Sequence, residues 1–407
     1  MVNNWRENYN VLVTESHTIG SLAVIRSLGR AGYRVIASSP QPQAIGFYSS
    51  YCHLSCIQPA YSGQKDFFEW LDNVIERENI TLIIPSEAFL LSIRQVFEKW
   101  QPLLAIPESE DVVYSAFSKC DLMQICAESG LHVHLPPFIL IKEDDEPVQS
   151  NRLISLNEPV FIKVDGVYSC TGKGSQVIKC ETIDNAVSRI AELRIDYSKI
   201  LVQGYVHGIG IGAFLARWED KLLARFMHRR IHEVPHTGGA SSLRTAWRHE
   251  AIMFDAQVRA ELLGWNGVGM FEYRWDPTTD QFYLMEFNSR FWGSLHLALF
   301  AGVDFPKLLA DAFFKKPNLS VTDYPLIRCR LAFPSEVDYV ISCIKDSRLP
   351  WSRKLLVVLE FAYLSLDPTV YADLNFPKDR ALYWRMMVRS IRRFIKIAYL
   401  FLVKERF

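Results

Sequence analysis

Apolar positions change period repeatedly along the first hundred residues. "NVLVTE", from Asn10, is an apolar run of strand length. "IGSLAVIRSLGRAG" then spaces its apolar residues along one helical face and stops at Gly32, and "YRVIASS" is a strand again. Strand, helix, strand predicts a parallel sheet with its loop at the carboxyl edge. The loop itself, "ESHTIGS", lacks the GxGxxG dinucleotide fingerprint. The alternation continues through a helix, "FFEWLDNVIERE", a buried strand, "TLIIPS", and a second helix, "FLLSIRQVFEKW", until "PLLAIP" closes the unit near residue 107. Next, Ser118 is a candidate N-cap for a helix that carries Leu122, Ile125 and Cys126 inward and ends at Gly130. The double proline after it marks a second region.

From 159 to 206 the pattern is strand "PVFIKVD", glycine-bearing turn "YSCTGKGS", returning strand "SQVIKC", helix "IDNAVSRIAELR" and strand "ILVQGYV". Residues 211–226 and 267–287 are strand-rich on either side of a helix, "EAIMFDAQVRAELLG". From 307 onward the spacing is mostly helical. The end, "YWRMMVRSIRRFIKIAYLFLVKERF", carries seven Lys or Arg against one Glu. Such a basic amphipathic end can cover the core, which is the commoner case, lie on an anionic membrane surface, or dock on a partner.

Composition narrows the class. A chain of 407 residues is too long for one ordinary core, so two or three packed units are expected. With 49% apolar residues and a formal net charge of zero, it has neither a disorder signature nor the basic excess of a nucleic-acid binder. Eight scattered cysteines form no CxxC pair, which fits reduced thiols and a cytoplasmic location. "MVNNWRENYN" has no apolar signal core, and no uninterrupted apolar run reaches the roughly 20 residues that span a bilayer.

Candidate chemistry concentrates in "DQFYLMEFNSRFWGS". Glu286, Asn288 and Arg290 recur at the strand period, so they share a face, with Met285 and Phe287 on the other. Upstream, "GVGMFEYRWDP" contributes Glu272, and the polar turn "DPTTDQ" lets the two segments pair as a hairpin. Two adjacent carboxylates and an amide oxygen form a hard-ligand set suited to Mg²⁺, while Arg290 extends the row toward a phosphate or carboxylate. The spacing alone is equally compatible with a solvated polar face.

These residues resemble the metal-binding end of the ATP-grasp superfamily, most closely its carbamoyl-phosphate-synthase-like branch. The resemblance implies that Glu272, Glu286 and Asn288 bind two Mg²⁺ ions (Mn²⁺ as a substitute) that clasp the ATP phosphates beside Arg290. Other segments resemble the family in the same order. Lys119, at the start of its helix, and Lys163, in "EPVFIKVDG", match its phosphate lysines, and Gly172, Lys173 and Gly174 its flexible phosphate lid. "ILVQGYVHG" resembles the interdomain hinge whose backbone reads adenine, pointing to Gln203, Tyr205 and Val206, and Met285 resembles the residue that sandwiches the ring. "FMHRRIHEVPHTGGASSLRTA" is similar to the loop facing the phosphoacceptor. It makes Arg229 and Arg230 candidates for holding a carboxylate and His236 through Ser242 candidates for shaping the pocket. One departure is the missing ribose-binding glutamate, where "HGIGIGAF" has isoleucine and glycine.

The implied fold class is α/β plus α+β. A Rossmann-like pre-ATP-grasp domain (1–115) would precede an ATP-grasp module of two α+β subdomains, a lid (116–205) and a metal and substrate part (206–310), and a helical C-terminal region (311–407). The implied activity is that of an ATP-dependent carboxylate–amine ligase. It would form an amide through an acylphosphate and use small-molecule substrates, ATP and magnesium but no nucleic acid. Lys173, Arg230 and Arg290 would act catalytically. Alternatives are a bicarbonate-activating enzyme, a nucleotide-binding regulator without turnover, and a protein that contacts membranes weakly through its basic end. A homodimer through the N-terminal unit is compatible with each.

Overall fold

The computed structural model describes residues 5–236, 239–316 and 319–404. Its first unit is a parallel sheet built from β1 (Asn10–Val13), β2 (Arg34–Ser39), β3 (Leu54–Ile57) and β4 (Ile80–Ile84) in the order β3-β2-β1-β4. Helices α1 (Ile19–Ala31), α2 (Gln64–Arg77), α3 (Glu87–Ile93), α4 (Phe97–Trp100) and α5 (Glu110–Phe117) pack around it. Thr18 caps α1 by accepting from the Ser21 N–H, and Gly32, at φ 102°, closes it in the left-handed region open to glycine. The chain winds outward through β2 and β3 and then returns to place β4 on the far side of β1. That reversal puts a crevice at the adjoining carboxyl ends of β1 and β4. One expected helix is broken. Residues 89–100 form α3 and α4 with a 3₁₀ turn between, because Val96 leaves helical backbone (φ −133°, ψ 27°) and lets Phe97 and Trp100 turn into the core.

The second unit contains α6 (Lys119–Glu128), β5 (Phe138–Lys142), α7 (Ser150–Leu153), β6 (Val160–Val164), β7 (Gln176–Cys180), α8 (Ile183–Leu193) and β8 (Lys199–Gly204). Its four strands form an antiparallel sheet, β5-β8-β6-β7. The Ser118 hydroxyl caps α6 by accepting from the Asp121 N–H, as its position predicts.

The third unit is a seven-stranded sheet, β13-β12-β9-β10-β11-β14-β15. It uses β9 (Ile209–Trp218), β10 (Lys221–Val234), β11 (Ala240–Ala246), β12 (Gly267–Trp275) and β13 (Phe282–Asn288), with α9 (Glu250–Leu262), α10 (Leu295–Phe300) and α11 (Phe305–Phe313). The final segment is mainly helical, with α12 (Val337–Lys345), α13 (Trp351–Leu366) and α14 (Arg380–Lys404), but it also supplies β14 (Arg328–Arg330) and β15 (Val370–Ala372) to this sheet. It is further tied in by buried ion pairs that helical spacing does not reveal. Arg26 of α1 donates to Asp379 at 2.8 Å and to the Asp373 carbonyl at 2.8 Å, while Arg244 pairs with Asp373. Truncating one partner of such a buried pair would leave the other uncompensated. Among the described residues no helix is long and apolar enough to cross a membrane.

Candidate functional site

Strands β12 and β13 pair antiparallel with Glu272 directly opposite Glu286 and Met270 opposite Asn288. Phe271 and Phe287, on the reverse face, stack at 4.3 Å and are buried. The hairpin is therefore apolar behind and polar in front, because period two separates the faces, except at Met285, expected behind, which a register shift leaves unpaired and which reaches the front. The front faces a cavity of about 660 Å³ between the four-stranded antiparallel sheet and the seven-stranded sheet. Phe161, Lys163 and Val177 line it from one side, and Gly210, Arg230, Glu272, Met285 and Glu286 from the other. Gly204, Tyr205 and Val206 close the end where the chain passes between sheets.

The polar groups converge. The Lys119 ammonium lies 3.4 Å from Glu286, and Lys163 donates to the Met285 carbonyl at 3.3 Å. Asn288 donates to Glu286 at 3.1 Å and to Glu272 at 3.4 Å, while its oxygen accepts from Arg290 at 3.4 Å. Arg230 forms an ion pair with Glu272 and another, at 3.4 Å, with Glu233. Gly210 makes room for this arrangement, since a Cβ there would come within 2.8 Å of the Arg230 side chain. The two carboxylates are thus shared among three of the chain's own cations.

Their surroundings split them. Burial raises the Glu272 carboxyl, and Arg230 only partly offsets this. Burial also raises Glu286, but Lys119 and Lys163 outweigh it and hold that carboxyl down at about 2. Burial drives the Lys163 ammonium down to about 8 against the opposing pull of Glu286. The two carboxylates are hard oxygen donors that fit Mg²⁺, which takes one or two carboxylates and completes its shell with water and phosphate, and a turn of the Asn288 amide would add its oxygen, now on Arg290, to the set.

Other sequence candidates lie differently. Lys173 pairs with Asp196 at 2.6 Å, away from the carboxylates, on an exposed turn where Gly172 adopts φ 78°. Gly174 accepts from the Tyr197 hydroxyl at 2.6 Å. Gln203 is buried against Met123 and does not line the cavity, whereas Tyr205 is half exposed and stacks near Phe161. Arg229 does not line the cavity either. His236 turns toward α12, where it meets Ser342 and Asp346, each at 3.0 Å, and Ser242 is buried. Thr237 and Gly238, expected to shape the same pocket, lie outside the described residues.

Some participants were missed. Asp165 continues the Phe161 and Lys163 row of β6 by two residues. Fully buried, it accepts from the Ser118 hydroxyl at 3.0 Å and the Cys120 N–H at 3.2 Å, fixing the end of α6 that carries Lys119. Period two from Lys163 was the signal that could have found it. A second cavity of about 540 Å³ occupies the β1/β4 crevice and is lined by Glu15, Ser86, Glu87, Gly174, Ser175 and Arg290, among others. Arg290 reaches Glu87 at 3.5 Å, and Glu15 holds a left-handed backbone at φ 48°, strained for a non-glycine residue. Its lining comes from loops and helix ends of three units, which no local spacing connects.

A family model described as ATP-grasp in the biosynthetic pathway with Ter operon matches residues 220–329, the stretch that contains Arg230, Glu272, Glu286 and Asn288. Solved structures resemble much more of the chain. N5-carboxyaminoimidazole synthetase from Staphylococcus aureus, complexed with ADP, aligns with a TM-score of 0.59 at 15% identity, covering 80% of this chain and 81% of that one. Biotin carboxylase from Campylobacter jejuni aligns at 0.58 and 15%, covering 76% and 72%, and L-amino acid ligase from Bacillus licheniformis at 0.54 and 12%, covering 75% and 74%. No curated protein matches the sequence. The three units and their cleft define an ATP-grasp architecture. This chain has the ATP-grasp fold, as its sequence motifs imply.

Proposed function

We propose that the protein is an ATP-dependent carboxylate–amine ligase that releases ADP and phosphate. The observation that carries this reading is the juxtaposition of Glu272, Glu286 and Lys163 on the wall of the larger cavity, with Lys119 and Asn288 held against Glu286. Lysine point charges and hard oxygen ligands facing one cleft suit a triphosphate, and the apolar surfaces of Phe161, Val177, Val206 and Met285 suit a flat base. Glu272, Glu286 and Asn288 would hold Mg²⁺, which when bound neutralises phosphate charge and orients the transferring group.

The chain's own residues do the rest. Lys119 and Lys163 bind the phosphates, and Asp165 keeps Lys119 aimed. Arg230 leaves Glu272 when the nucleotide enters and turns to the acceptor. Lys173, on its glycine-flanked turn, exchanges Asp196 for the terminal phosphate and helps exclude water. A substrate carboxylate oxygen attacks the γ-phosphorus as the bond to the ADP oxygen breaks. An amine then attacks the acyl carbon, loses its proton and expels inorganic phosphate. Arg290, which lines the second cavity and touches Asn288, stabilises charge between the two steps. The amine substrate sits in that second cavity, where Glu15 and Glu87 attract a cation. All eight cysteines are free, which suits the reducing cytoplasm where we place the reaction.

Two neighbouring readings remain distinct. Bicarbonate would replace the carboxylate in a carboxylase. A regulator without turnover is favoured by Gly210, which lines the cavity where related chains are expected to bind ribose through glutamate. A coupled ADP-release assay with amino-acid, carboxylic-acid and bicarbonate panels separates them. Acid- and amine-dependent ADP release, lost at least about 100-fold in Glu286→Gln with unchanged melting, supports the ligase. Turnover retained in that variant, or nucleotide binding with no ADP from any panel, refutes it.

A further inference from the structure

The helix α13 is amphipathic in an unusual sense, because its solvent side is the apolar one. Val357 and Leu364 are buried and Phe361 packs inward beside them. On the opposite side Trp351 (81% exposed), Leu355, Leu356, Val358, Leu359, Tyr363 and Leu366 (84% exposed) all face out. At 3.6 residues per turn these positions sweep an arc of roughly 160° that contains no charged residue. Lys354 falls on one margin and Glu360 with Arg353 on the other, where Glu360 lies 3.5 Å from His232, and the Lys354 ammonium rests 5.4 Å from the Trp351 ring.

The neighbouring helix continues the surface. On α14, Trp384, Val388 and Ile391 are exposed at positions i, i+4 and i+7, so they form one stripe. Exposed Arg385, Arg389 and Arg392 form a second stripe one residue further round. Residues 380–393 contain five arginines and no acidic residue, and among the described residues only Arg393 of these is ion-paired, to Asp338 at 3.0 Å. The two helices meet at a groove lined by Val337, Val340, Ile344, Val358, Phe361 and Ile391, so both faces belong to one patch.

We propose that this patch seats the protein on an anionic lipid surface. Leucine and aromatic side chains enter the boundary between headgroups and acyl chains, and the flanking arginines meet the negative headgroups. Charge argues against a second copy of the chain as the occupant, since self-association through this face would bring one arginine stripe against another. The patch lies apart from the residues of both cavities, so the proposal does not rest on the ligase reading.

The test is sedimentation of the full chain with vesicles of phosphatidylglycerol and phosphatidylcholine, against phosphatidylcholine alone. The anionic vesicles should bind it at least tenfold more tightly, with the difference collapsing at 0.5 M salt, on the order expected from screening. Leu355→Glu with Leu359→Glu should abolish sedimentation, and Arg389→Glu with Arg392→Glu should lower affinity about tenfold or more, with melting temperature and ADP release unchanged in both. Equal binding to the two vesicle types, or none to either, overturns the proposal. So does a concentration-dependent dimer that the leucine variant dissolves, which would give the face to a second copy.

Discussion

The two cavities are built on different principles. The larger is walled by strands, and its functional groups follow from the strand pattern: Phe161 and Lys163 along β6, Glu286 along β13, Glu272 across the ladder. The smaller is walled by the loops after β1 and β4 with residues of the helices α1 and α3 that follow them, by the Gly174–Ser175 turn and by the segment after β13. Strand-borne groups are held in place by the hydrogen-bonded ladder, which suits a reagent common to many reactions. Loop-borne groups can be exchanged without disturbing a sheet, which suits the part that chooses a substrate.

If this division is right, changes on the strand wall should abolish reaction with every acceptor. The largest effect is expected from Lys163→Met, which keeps the length of a nearly buried side chain and removes its charge. Turnover should fall roughly 100-fold with all substrates, measured by ADP release. An intermediate and selective effect is expected in the other cavity. Glu15→Gln or Glu87→Gln should raise the KM for the amine about tenfold while the KM for ATP changes less than about twofold, on the scale of one charge-assisted contact. A matching rise in both constants would merge the cavities into one functional unit and break the comparison.

The smallest effect belongs to a control remote from both. Burial raises the Asp311 carboxyl, but hydrogen bonds from Arg6, Lys307 and Tyr33 prevail and hold it below the usual range. A depressed native value stabilises the fold above the ordinary carboxylate range and ceases to do so as pH falls through the native value. Asp311→Asn should therefore cost about 1–3 kcal/mol near pH 7. The gap to wild type should narrow in acid, with ADP kinetics unaltered at neutral pH.

The same division explains what was legible in the sequence. Alternation exposed the Glu286 and Asn288 row, and the polar turn at Asp276 to Gln281 announced its pairing with Glu272. The α1 boundaries followed from Thr18 and Gly32, whose capping is local chemistry. The Glu15 and Glu87 juxtaposition was not legible, because it depends on β4 returning beside β1, a tertiary event with no local signature. Lys173 illustrates another limit: its motif names a chemistry, while its observed partner, Asp196, is set by the turn around it. The strands β14 and β15 were hidden for a similar reason, since three residues each are too few to show a period.

The most direct test of the central claim is ADP binding by titration calorimetry, with and without Mg²⁺, in the wild-type chain and in Glu286→Gln. Oxygen ligands on the β12–β13 hairpin should make Mg²⁺ tighten ADP about tenfold or more in the wild type and leave it unchanged in the variant. Equal ADP affinity with and without Mg²⁺ in the wild type would contradict the account.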